Sequence, residues 1–83
     1  MSKIYKLPLL LEPQPEGGYV VMCPLLPELI TEGDSVEEAM DNANDALAAL
    51  IEAFGDLGKP LPPVLQSIDE NVPFWLETAL TMA

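Results

Sequence analysis

Apolar and polar positions follow two different rhythms along this chain, and the rhythms mark its elements. From Ile4 to Glu12 the period is two. Tyr5, Leu7, Leu9 and Leu11 share one face, and Ile4, Lys6, Pro8, Leu10 and Glu12 share the other. That spacing predicts a strand. Pro8 has no amide donor, which implies an edge position, a bulge or an early start to pairing. Pro13-Gln14-Pro15-Glu16-Gly17-Gly18 predicts a turn. Tyr19 to Cys23 is apolar on both faces, which predicts a second strand in a central or doubly covered position. Pro24-Leu25-Leu26-Pro27 predicts a rigid connection, and Leu29 to Glu32 a short third strand.

At Gly33-Asp34 the rhythm changes. Val36, Ala39, Met40, Ala43, Leu47, Leu50, Ile51 and Phe54 recur at steps of three and four, the mark of an amphipathic helix. Ser35 is the expected N-cap. Glu38 stands three residues on, which predicts a capping box: the serine oxygen accepts from the Glu38 amide, and the Glu38 carboxylate accepts from the Ser35 amide. Glu37 and Glu38 also suit the positive end of the helix dipole. Gly58 fits the left-handed position after the last turn, Pro60 forbids continuation, and Gly55 offers an earlier stop. Small residues at 39, 43 and 46 predict a close approach of helix to sheet.

Beyond Gly58, Lys59-Pro60-Leu61-Pro62-Pro63 predicts a stiff linker. Val64 to Asp69 alternates and predicts a weak fourth strand. Pro73 to Met82 predicts a short terminal helix that packs on its own sheet or, by preference, on another chain. The expected fold is therefore α+β: an antiparallel β-β-β-α-β(-α) arrangement, a two-layer sheet carrying one long helix.

Composition narrows the function. A chain of 83 residues makes one small domain, yet 49% of it is hydrophobic, so part of the apolar surface is expected to be buried between subunits. The net charge is −11, from 14 acidic and 3 basic residues. With so little positive charge to neutralise phosphates, direct nucleic-acid binding is not expected, nor is an anionic membrane surface; a basic protein partner suits the balance. The run Leu7 to Leu11 is too short to span a membrane and has no leader features, so a cytoplasmic protein is expected.

Catalytic chemistry finds little to stand on. The chain has no histidine, so neither a serine triad nor an activated Cys23 can be assembled within it; Cys23 reads as a buried thiol. Gly17-Gly18 is a turn, because both phosphate-loop patterns are absent. Glu32, Asp34, Glu37, Glu38 and Asp41 cluster around the helix start. Capping and the dipole account for them first, with a Mg²⁺-dependent nuclease as the minor alternative. No catalytic residue, metal or cofactor is expected.

One resemblance runs through these motifs. Glu16-Gly17-Gly18-Tyr19-Val20-Val21, Pro24-Leu25-Leu26-Pro27, Thr31-Glu32-Gly33-Asp34-Ser35-Val36-Glu37-Glu38-Ala39 and Gly58-Lys59-Pro60-Leu61-Pro62-Pro63 resemble the HicB antitoxin family, in particular its short UPF0150-type members. The similarity covers residues 4–63, with Pro24, Pro27, Gly33, Asp34, Ser35 and Glu38 as the motif positions. Glu28 stands where the family usually has glycine, and Leu29 where it often has cysteine. The resemblance implies a partial RNase-H-like fold without the RNase H carboxylates. It also implies a non-enzymatic protein that neutralises a small, basic, mRNA-cleaving toxin of the HicA type, and forms a homo-dimer or higher oligomer. The expected toxin contact is the helix face of Glu37, Asp41 and Asp45, or a strand edge. Full-length members add a DNA-binding module; with only 20 residues after Pro63, a single domain over 1–83 without that module is expected. The alternative reading is a stand-alone oligomeric binding domain with no toxin.

Overall fold

The first pairing in the chain is a hairpin closed by glycine. In a computed structural model, which describes residues 4–65, 67–75, 77, 80 and 82, β1 (Leu10–Pro13) runs antiparallel to β2 (Tyr19–Met22). Leu10 lies opposite Met22 and Pro13 opposite Tyr19. The Gln14 amide donates to the Gly18 carbonyl at 3.0 Å, closing the hairpin. Gly18 sits at φ 80°, a conformation that disfavours any side chain. β3 (Ile30–Gly33) pairs antiparallel with the other edge of β2, so the sheet order is β1-β2-β3. β2 is thus central, as its two-sided apolar sequence predicts; Val21 is fully buried.

β1 starts later than its alternation predicts. Residues 5–9 keep the period-two burial, with Tyr5, Leu7 and Leu9 half-buried and Lys6 and Pro8 exposed, but they lie outside the ladder. The reason is the length of the partner: β2 ends at Met22, where the Pro24 turn takes the chain away. β3 begins at Ile30, one residue beyond the expected Leu29, because Leu29 is held by the turn before it.

That connection is two β-turns in series. The Leu26 amide donates to the Cys23 carbonyl at 3.1 Å, and the Leu29 amide to the Leu26 carbonyl at 2.9 Å. Pro24 and Pro27 each occupy the second position of a turn, which their fixed φ favours. The third positions are Leu25 and Glu28, and among the described residues no non-glycine has positive φ. These are therefore turns that tolerate any side chain, which explains how Glu28 stands in the place of a glycine. The three-residue repeat turns Cys23, Leu26 and Leu29 inward, at 3%, 2% and 0% exposure.

α1 (Val36–Asp56) follows at once. Ser35 is its N-cap, and its hydroxyl accepts from the Glu38 amide at 3.1 Å. The return bond of the expected capping box, from the Ser35 amide to the Glu38 carboxylate, is not formed; Glu38 is exposed. Ser35→Ala should therefore cost about 1 kcal/mol of stability in a urea titration, and Glu38→Ala no more than about 0.5 kcal/mol through the dipole. Equal losses would show that the box closes in solution. The helix runs through Gly55 and stops where Gly58 predicts. Gly58 has φ 66°, its amide donates to Gly55, and the Lys59 amide donates back to Phe54.

The core lies between α1 and the sheet. Cys23, Leu26, Leu29 and Leu65 form one cluster, onto which Tyr5, Leu7, Leu47, Leu50, Ile51 and Phe54 pack. Val21, Ala39 and Ala43 form a second, at the small-residue stretch of the helix. Met40, expected on the apolar stripe, is 44% exposed at its margin. Where the fourth strand is expected, Pro63–Leu65 make a short 3-10 turn that buries Leu65, and Ile68 forms a single bridge with Ile4. In the expected terminal helix, residues 73–75, 77, 80 and 82 are non-helical; the remaining positions fall outside the described residues.

Candidate partner-binding site

Three features fix α1 over β2 and β3. The strand end at Gly33 touches the helix backbone at Ala39. The Asn42 side-chain amide donates to the Glu32 carbonyl at 2.7 Å. Ala39 and Ala43 bury their short side chains in the cluster of Val21. Small side chains at the crossing let the helix lie close and leave its opposite face in solvent.

That opposite face carries the expected contact residues. Glu37, Asp41 and Asp45 are all exposed, and a spacing of four places them on one stripe of the helix. The motif positions serve the fold instead. Pro24 and Pro27 set the paired turns, Gly33 makes the close approach, and Ser35 caps the helix. Asp34 and Glu38 are exposed near the Gly17-Gly18 turn, lining a shallow depression with Glu32 and Asn42. Among the described residues, no three His, Cys, Asp or Glu side chains gather as metal ligands.

Beside the acidic stripe lies an open cleft of about 820 Å³. One wall is residues 5–9, with Tyr5, Leu7 and Leu9 along it. The other is the flank of α1 at Met40, Asp41, Ala43, Asn44 and Leu47, with Leu29 between them and Trp75 and Glu77 at the rim. Trp75 is 87% exposed. Asp41 thus belongs to both features. The hydrophobic pattern alone does not announce this cleft. Its signal was the mismatch of lengths, since nine alternating residues in the first strand face only five in the second. Residues 5–9 continue past the end of β2, and their half-buried apolar face stands across the open cleft from α1.

The sequence comparisons agree with one another. The family model described as HicB_like antitoxin of bacterial toxin-antitoxin system matches residues 7–81. The chain is 38% identical over 80 residues to Antitoxin HicB of Escherichia coli (strain K12), covering 94% of this chain and 55% of that protein. It is 42% identical over 60 residues to Antitoxin HicB 1 of Photorhabdus laumondii, covering 72% of this chain and 39% of the relative. A UPF0150 protein of Synechocystis sp. is 37% identical over 61 residues, 74% of this chain and 77% of the relative. The chain therefore spans about half the length of the curated antitoxins that it matches. Among the described residues no helix is long and apolar enough to cross a membrane.

Proposed function

The chain belongs to the HicB-like antitoxin family, and from that premise we propose that it is an antitoxin acting by protein–protein contact, with a small basic HicA-type toxin as its partner. The observation that carries the reading is the exposed acidic stripe of Glu37, Asp41 and Asp45 along a helix whose other face is buried. A charge of −11 on 83 residues steers a basic partner toward that face and disfavours nucleic acid. The apolar cleft beside Asp41 adds a surface that charge alone lacks, since affinity needs a desolvated anchor within a polar rim.

The test is growth rescue. Expression of a HicA-type toxin arrests growth, and co-expression of the wild-type chain is expected to restore it. The combined Glu37→Lys, Asp41→Lys and Asp45→Lys variant should fold, since all three positions are exposed, yet bind the toxin about a hundredfold more weakly or worse and fail to rescue. Soluble wild-type protein that leaves the arrest in place would refute the proposal. Rescue by the triple variant would move the contact off this stripe.

A further inference from the structure

The cleft beside Asp41 is walled on one side by a helical ridge. Met40, Ala43 and Leu47 follow one another at steps of three and four along α1 and rise about 10.5 Å, two turns of helix. Ala43 is the low point of that ridge, a notch between two long side chains. Tyr5, Leu7 and Leu9 form the facing wall. Trp75, the single tryptophan of the chain, stands at the rim and is 87% exposed. Apolar side chains gathered in this way, with a tryptophan among them, mark a contact surface.

The cleft is open, so a small molecule in it would stay in water on one side, whereas a protein segment brings its own cover. Within these two turns α1 offers no free backbone groups, because its amides and carbonyls bond along the helix. An occupant must therefore satisfy its own main chain, and a helix does.

Charge selects which helix. Among the described residues the charged side chains that line the cleft are Asp41, Glu77 and Lys6. Asp41 belongs to the α1 wall, where Glu37 and Asp45 extend it into the acidic stripe; Lys6 belongs to the facing wall. A helix seated here with a basic flank toward α1 meets carboxylates along its length. A second copy of this chain does not supply one, since α1 contains no lysine or arginine.

We propose that the cleft takes an amphipathic helix of a partner protein, about two to three turns long, which lays its apolar face on Met40, Leu47 and Trp75 and turns a lysine or arginine flank toward Asp41. This deepens the antitoxin reading and rests on it for the identity of the partner.

Trp75 reports occupancy of the cleft. The probe is a synthetic peptide of about 14 residues, with leucine at helical spacing, alanine elsewhere and lysine along one flank. Added to the full chain, it should shift Trp75 emission to shorter wavelength, saturably, and reduce quenching by acrylamide. The same peptide with glutamate for lysine, and a scrambled lysine peptide, should each bind about tenfold more weakly or worse. Asp41→Lys should weaken the lysine peptide about tenfold and favour the glutamate one; Met40→Glu should weaken both. Both positions are exposed, and circular dichroism confirms folding of the variants. No shift with the lysine peptide, or equal binding of the scrambled one, overturns the proposal. So does a Trp75 already shielded from acrylamide without peptide, or an emission that shifts with protein concentration alone, which would show the cleft filled by the chain itself or by a second copy. Growth rescue is read separately. Rescue without peptide binding refutes the helix and leaves the antitoxin reading in place; peptide binding without rescue upholds the groove and refutes that reading.

Discussion

Gly33→Ala is expected to destabilise the domain by about 3 kcal/mol or more, a large share of the roughly 4–12 kcal/mol available to a chain of this length. The cause is steric. A Cβ built on Gly33 would lie 2.6 Å from the Ala39 Cα and 2.8 Å from the Glu38 carbonyl carbon, both helix backbone. No rotamer change relieves a clash with backbone. The neighbour on the other side is also backbone: the Gly33 carbonyl oxygen lies where a side chain on Gly18 would be, 2.9 Å from its Cβ position. Gly18, Gly33 and the first turns of α1 form a stack with no slack, so relief requires the helix to lift off β3. That motion would also strain the Asn42 bond to Glu32. A urea titration checks the expectation through its midpoint, and an unchanged midpoint would mean that strand end and helix are not in contact in solution.

Leu29→Ala should cost about 2–5 kcal/mol, whereas Leu29→Met should cost less than about 1.5 kcal/mol. Leu29 is fully buried and meets Cys23, Leu26 and Leu65 from the two turns and the segment after the helix. Truncation leaves a cavity that these neighbours fill poorly, because the turn bonds at Leu26 and Leu29 fix the backbone on one side. Methionine keeps the volume. Thermal melting of both variants separates the two cases; comparable losses would indicate that shape, not volume, governs the site.

The parts of the fold written in local chemistry were legible in the sequence. The helix announced itself by its stripe, its serine cap and its left-handed glycine, and all three are in place at Val36–Asp56, Ser35 and Gly58. The turns were legible from proline, while the tolerance for Glu28 follows from their geometry. What sequence alone left open depends on partners distant in the chain. Alternation predicts a first strand from Ile4, whereas β1 begins at Leu10, because alternation reports burial of one face and not whether a neighbour is present to bond. The stretch after Pro63 alternates as a strand would, yet among the described residues it makes one isolated bridge, with Ile4, and contributes Leu65 through a turn. The acidic stripe was legible as charge on one helix face. The cleft beside it was not, since it depends on how α1 lies against residues 5–9, which are distant from it in the chain.

The sheet order has a kinetic consequence. Each strand pairs with its neighbour in the chain, and the helix packs on the strand that directly precedes it. Every one of these steps closes a short loop, so the entropic barrier to each is small. The meander and helix can assemble from one end to the other without searching for a remote partner, which places the domain among the faster folders of mixed architecture. The closure between Ile4 and Ile68 spans nearly the whole chain, so it carries the largest loop-closure cost of these contacts, and Leu65 joins the core beside it.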